Sequence, residues 1–234
     1  MLAKHDTLIR RPFISGLALF AFFALICTTV SAQEAPSALE LTNSDKSKLH
    51  SGEVIVELEQ GDINRGEVTG IIQAPMADVI PLVERCWEYG DWRESVTDTS
   101  LEERVSAEVV VCGGTAIVPF PARNRHGHFR VHNQTIDVDG VESFASVFQY
   151  IDGSGNMEDM HGYWMLQPYG ENGEHTILRH VLYVDIGSWI PGALIRWATR
   201  RSLPDTILGI RKHISDAKNQ SLSSPQFWRG HSYD

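Results

Sequence analysis

Hydrophobic positions along this chain recur first with a period of two and later with a period of 3.6, and the change of period orders its elements. Glu53 to Glu59 (EVIVELE) alternates, with Val54, Val56 and Leu58 on one face, which predicts a strand. A turn at Gly61-Asp62 and a second strand over Glu67 to Ile72 pair back on it. Met76, Val79, Ile80, Val83 and Trp87 then fall at helical spacing behind Pro75, and a helix start tolerates proline. That predicts a helix over 75–88, with Pro81 marking a break between two short pieces.

Six strand segments follow: Arg104 to Val111, Thr115 to Val118, His126 to Ile136, Val141 to Tyr150, His161 to Leu166 and His175 to Asp185. In the first, Val105, Ala107, Val109 and Val111 share a face. In the third, Phe129 and Val131 oppose His128, Arg130 and His132. Turn chemistry punctuates the series at Asp152-Gly153-Ser154-Gly155-Asn156 and Tyr169-Gly170-Glu171-Asn172-Gly173. No helix-length segment separates these strands, so the sheet is expected to be antiparallel.

The chain ends on a helical stripe. Ile190, Ala193, Leu194, Trp197 and Ala198 are spaced i, i+3, i+4, i+7 and i+8, and Leu203, Ile207, Ile210 and Ile214 continue the row past a kink at Pro204. A one-sided sheet and a one-sided helix must bury their apolar faces against each other. The expected fold is α+β, a curved antiparallel sheet wrapped around a long C-terminal helix, with an internal apolar cavity where the two diverge. Residues 33–50 are polar with little period and read as a linker. Residues 51–218 form the folded domain, and 219–234 a polar tail.

The first 32 residues change the picture of location. Lys4, Arg10 and Arg11 precede a 17-residue apolar run, Ile14 to Val30, and Val30-Ser31-Ala32 supplies small or aliphatic residues at a cleavage site. That is the order of a signal peptide cut after Ala32, and it predicts a periplasmic or secreted protein. An uncleaved anchor is the rival reading. The whole chain has 20 basic and 30 acidic residues, and losing a mostly basic leader makes it more acidic. Such a surface repels phosphate backbones, so no nucleic-acid partner is expected. A basic run in the last helix (Arg196, Arg200, Arg201, Arg211 and Lys212) offers transient membrane contact or a solvated face. Cys86 and Cys112 remain after the leader, either as a disulfide or as two buried thiols. The oligomeric state leaves no signature in the sequence.

Few residues carry evident chemistry. Arg179 and Tyr183 share a strand face with Ile177 and Val181. An Arg on an apolar face must be paired or hydrogen-bonded. Arg179 therefore either holds a ligand carboxylate, phosphate or carbonyl, or meets solvent or a protein acid. His126, His128 and His132 share another face, but the span from first to third is too long for one ion, so no metal is expected. No Gly-x-Ser-x-Gly elbow or phosphate-binding glycine loop occurs, and no catalytic residue or cofactor is assigned. His161 and His180 could serve as bases if a cavity held them.

The order of elements and several local motifs resemble the START lipid-binding domains of the helix-grip superfamily. Gly162-Tyr163-Trp164-Met165-Leu166-Gln167-Pro168 is similar to their strand G-x-W-x-L-x-P. Asp185-Ile186-Gly187-Ser188-Trp189-Ile190-Pro191 resembles the turn that launches their last helix. Trp197 to Pro204 resembles the kink of that helix, and Pro119 to Arg125 a Pro-and-Arg turn before a strand. The likeness spans roughly 50–217. It implies a START-like domain with an internal tunnel for a sterol, phospholipid or other hydrophobic molecule. The chain departs from the family at Arg125-His126-Gly127-His128-Phe129-Arg130, where members often carry Arg-Asp-Phe, and alternation turns Arg130 to solvent.

Three functions remain in view. A carrier binds and transfers a lipid or other hydrophobic molecule in a dry cavity of roughly 300–1,000 Å3. Its ligand-binding candidates are Arg179, Tyr183, Phe129, Val147, Trp164, Met165, Val181, Leu194 and Trp197. A cyclase- or hydrolase-type enzyme on the same scaffold needs at least two of His161, His180, Arg179 and Tyr183 to converge inside the cavity. A filled-core envelope interaction module needs no cavity at all.

Overall fold

A computed structural model describes residues 36–59, 65–118, 120, 123–185 and 192–223. The expected leader (1–32), the turn at Gly61-Asp62, most of the turn over 119–122, the helix-launching turn over 186–191 and residues 224–234 lie outside them.

Eight strands form one antiparallel sheet: β1 (Ile55–Leu58), β2 (Arg65–Ile72), β3 (Val96–Arg104), β4 (Val109–Ala116), β5 (Arg125–Val138), β6 (Val141–Tyr150), β7 (Asp159–Tyr169) and β8 (His175–Asp185). The spatial order is β1-β2-β8-β7-β6-β5-β4-β3. Strands β3 to β8 are thus a meander, and the β1–β2 pair joins its far edge through β2 and β8. Three α-helices complete the fold: α1 (Asn43–His50), α2 (Met76–Glu84) and α3 (Gly192–Ser223), with a 3-10 helix at Cys86–Asp91. The sheet is curved and its concave face holds α3.

Register fixes the two faces. Val68 pairs with His180 and His180 with Trp164, so Val68, Leu178, His180, Trp164, Leu166, Phe148 and Phe144 point inward. Leu203, Ile207 and Ile210 of α3 are fully or almost fully buried against this face. The helix sits close because β2 carries glycine beneath it. A Cβ on Gly70 would lie 2.6 Å from Ile207 Cγ2, and one on Gly66 2.8 Å from Leu203 Cδ1. Arg211 fastens the helix by donating from Nε to the Ile71 carbonyl at 2.9 Å and from Nη1 to the Gly52 carbonyl at 2.8 Å.

The convex face is apolar too where β2, β8 and β7 form it. Val138, Tyr163, Met165 and Val181 form one cluster there, and Leu49, Ile71 and Ile177 another. Leu39 and Leu41, with Leu49 of α1, cover both. The segment 33–50 is therefore a folded cover over 36–50 and not the expected linker. Its helix starts with a reciprocal cap: Thr42 Oγ1 accepts from the Asp45 N–H at 3.2 Å, and the Asp45 carboxylate accepts from the Thr42 N–H at 3.1 Å. Three widely spaced leucines in a polar stretch give no period, which hid the helix.

Other boundaries also moved. The helix expected over 75–88 is two pieces, but they part at Arg85, with Pro81 inside α2. Val105 and Ser106 lie in the β3–β4 turn, both amides donating to the Val109 carbonyl, so the expected strand from Arg104 splits there. Strand β3 was not foreseen. It is mostly polar, with shifts of register between Thr97 and Ser100 and between Leu101 and Glu103, and such shifts erase a period of two. Helix α3 runs through 219–223, the start of the expected tail, and contains Pro204. Among the described residues no helix is long and apolar enough to cross a membrane.

Candidate functional site

The concave face is not filled everywhere. A cavity of about 80 Å3 lies between strands β3 to β8 and the segment 86–93, beside the part of the face that α3 covers. It is smaller than the carrier reading anticipates. Its wall is chiefly apolar, with Phe129, Val131, Phe148, Met157, Met160 and Trp164. The Cys86–Cys112 disulfide forms one side, and its Cα atoms are 6.2 Å apart. It fastens the 3-10 helix to β4, so that Tyr89 and the following Arg93 hang over the concave face.

Aromatic rings organise the centre. Trp164 and His180, opposite each other in β7 and β8, stack with ring centroids 3.8 Å apart. Tyr89 and Trp92 meet Trp164 edge-on at 5.9 Å and 6.2 Å, and each other at 5.2 Å. Edge-to-face contacts at such distances add to simple burial and stiffen the set.

Among the described residues of this wall, two polar side chains, His180 and Arg93, have a buried atom with no hydrogen bond. His180 is 1% exposed, and its pKa is held well below 6.5, first by burial and then by the nearby Arg93 charge. Its Nδ1 is 3.2 Å from the Tyr163 carbonyl, which can only accept, so Nδ1 carries the proton. The ring is neutral, and Nε2 is a buried lone pair with no partner. Arg93 is 9% exposed, and its Nε is buried without a hydrogen bond. Its Cζ lies 5.8 Å from the Trp164 ring centroid. Among the described residues no carboxylate comes within ion-pair distance of it, and burial lowers its pKa. A guanidinium does not lose its proton in a protein, so the cavity holds one full positive charge beside one neutral acceptor.

The expected ligand-binding residues divide by face. Phe129 and Trp164 line the cavity. Val147, Met165 and Val181 pack with Tyr163 on the convex side, where strand alternation puts them. Arg179 is there as well: Nε and Nη2 donate to the two Glu67 oxygens at 2.5 Å and 2.7 Å, so its partner is a protein acid, not a ligand. Tyr183 stacks on His161 at 4.5 Å, and His161 Nδ1 sits 2.9 Å from Asp159 Oδ2. Trp197 is 52% exposed on α3 and does not touch the cavity, and the side chain of Leu194 lies outside the described structure. Of the four candidate bases and anchors for an enzyme, only His180 reaches the cavity.

His126, His128, Arg130 and His132 are exposed along one face of β5, as alternation requires, and among the described residues no group of His, Cys, Asp and Glu is arranged to hold a metal. In the basic run, Arg196, Arg200 and Arg201 are exposed, while Lys212 pairs with Asp216 at 2.8 Å. Sequence reasoning passed over Arg93, Tyr89 and Met157. The pointer to Tyr89 and Arg93 was Cys86: had its bond to the inward-facing Cys112 been assumed, the residues just after it would have fallen over the cavity.

No family model and no curated protein matches the sequence. Solved structures do. A STAR-related lipid transfer protein fragment from Xanthomonas axonopodis superposes with a TM-score of 0.58 at 16% identity, over 69% of this chain and 92% of that one. Human StAR-related lipid transfer protein 5 gives 0.56 at 12% identity, over 66% and 76%. The Zhui aromatase/cyclase from Streptomyces sp. R1128 gives 0.51 at 11% identity, over 69% and 97%. The eight-stranded curved antiparallel sheet with its C-terminal helix matches that fold, and the chain has a START-type helix-grip fold.

Proposed function

We propose that this protein binds a lipid or other hydrophobic small molecule on the concave face of its sheet and carries it. The observation that supports this most is the apolar cavity at the end of the face that α3 leaves uncovered, in a fold shared with proteins named for lipid transfer. An 80 Å3 space admits only part of such a molecule. Entry therefore requires side chains to move. Met157 and Met160 in the wall are unbranched and adaptable, and suit that task. The enzyme reading lacks its convergent set, because His161, Arg179 and Tyr183 lie on the far face. A periplasmic or secreted location fits the same picture: the Cys86–Cys112 disulfide is a feature of oxidising compartments. Exposed Trp197 with Arg196, Arg200 and Arg201 gives α3 the chemistry for brief membrane contact.

Native mass spectrometry tests the proposal, with protein purified from a membrane-containing host and then extracted with organic solvent. A stoichiometric apolar adduct released by the solvent is the expected result. A bare mass that stays unchanged after incubation with fatty acids, phospholipids and sterols would overturn it.

A further inference from the structure

We propose that the bound molecule is a monoanionic amphiphile, an apolar body ending in a single carboxylate, and that Arg93 is its receptor. The inference rests on the reading of this cavity as a binding site and names the class of ligand. Two observations and one energetic argument lead to it. Arg93 is nine-tenths buried in the cavity wall, yet among the described residues no carboxylate meets it. Arg179, buried on the opposite face, does meet an acid, Glu67, and shows how this chain neutralises such a charge when it has no other use for it. A lone guanidinium in an apolar wall is expensive to keep, and a ligand anion would supply the missing partner.

Charge stoichiometry sets the valence. His180 is neutral, and Arg93 is the one charged residue among the described residues that line the cavity. One positive charge matches one negative charge, so a dianionic phosphate monoester would bring an excess. Shape then separates the remaining monoanions. A carboxylate ends its chain and presents two coplanar oxygens to the guanidinium fork. A phosphodiester carries substituents on both sides and needs two ways out of a small space. The Trp164 face beside Arg93 suits the carbons next to the carboxylate. His180 Nε2, a free acceptor on the same indole, adds no charge and can take a hydrogen bond from a hydroxyl on the ligand.

The test measures binding of straight-chain carboxylates from octanoate to oleate, of their methyl esters, and of dioleoylphosphatidylglycerol. The protein is used as wild type, Arg93→Met and Arg93→Lys, each delipidated. A charge-assisted pair of this kind corresponds to about 10- to 100-fold in affinity. Wild type is expected to prefer an acid over its ester by that factor. Arg93→Met is expected to bind acid and ester alike, with the ester affinity of wild type, and Arg93→Lys to retain part of the preference. Thermal melts check that the variants fold. Equal binding of acid and ester by wild type would overturn the anion inference and leave hydrophobic binding standing. Tighter binding of phosphatidylglycerol than of any carboxylate, lost in Arg93→Met, would overturn the carboxylate in favour of a phospholipid headgroup. Failure of every lipid to bind would remove the binding reading itself.

Discussion

Trp164 and His180 stack across neighbouring strands at 3.8 Å, and the pair closes off the middle of the concave face. The stack keeps a titratable ring in a place where its charged form is disfavoured. Folded His180 has a pKa well below the 6.5 of an exposed histidine, so between the two values the unfolded chain binds a proton that the folded chain refuses. Stability should therefore be full above about pH 6.5 and fall on acidification below it, by at most about 1.4 kcal/mol per pH unit for this one group. Melting temperatures of wild type and His180→Phe from pH 7.5 to 5 check this. The phenyl ring keeps the stack, and its curve should be flatter. The lowered pKa values of Asp45 and Glu174 act only at lower pH.

Reduction should loosen the cavity wall. The Cys86–Cys112 bridge closes a loop with a sequence separation of 26. A loop of that size corresponds to roughly 3–4 kcal/mol of stability. Melting of the Cys86→Ser, Cys112→Ser double variant should fall accordingly. Hydrogen exchange should rise first over residues 86–93, and an unchanged melting temperature would count against a tethering role.

The Arg179–Glu67 pair offers a control on the opposite face. Both side chains are about nine-tenths buried. Arg179→Met strands the Glu67 carboxylate and should cost about 3–5 kcal/mol, while adding Glu67→Leu should recover much of the loss. Neither change should alter ligand affinity in protein that remains folded. Isothermal titration of the double variant measures that, and a large loss of affinity would return Arg179 to the binding site.

Gly70→Ala should lift α3. The added methyl would stand 2.6 Å from Ile207 Cγ2, and the helix or the strand must give way. Overpacking of this kind is worth about 1–3 kcal/mol. Chemical denaturation gives the number, and an unchanged midpoint would mean that the helix shifts freely.

Most of the architecture was legible because the strands that build it alternate cleanly. Strand β8 was read to its observed ends, and the solvent face of β5 was read residue by residue, since His126, His128, Arg130 and His132 interleave with buried neighbours. Strand β3 was not legible, because an edge strand with shifted register and a polar composition has no period to read. The site was harder. Alternation states which residues share a face but not which face turns inward. The row Ile177, Arg179, Val181 and Tyr183 looked apolar enough to line a tunnel, because the sheet is apolar on both sides around β8. Phe129 and Trp164 fell on the right side. Arg93 lies on no strand and in no regular pattern; only its neighbourhood in space distinguishes it from the chain's surface arginines.

The cover formed by residues 36–50 bears on how the domain can be cut. A chain started at residue 51, where the alternating pattern begins, would leave Ile71 and Ile177 open to water with no leucine above them. A wet apolar sheet face invites a second copy to lie on it. Such a truncated protein should elute as aggregates or dimers, and a chain retaining Pro36 onward should stay dispersed. The smallest workable domain therefore begins before its first strand, with the short capped helix that the polar sequence disguises.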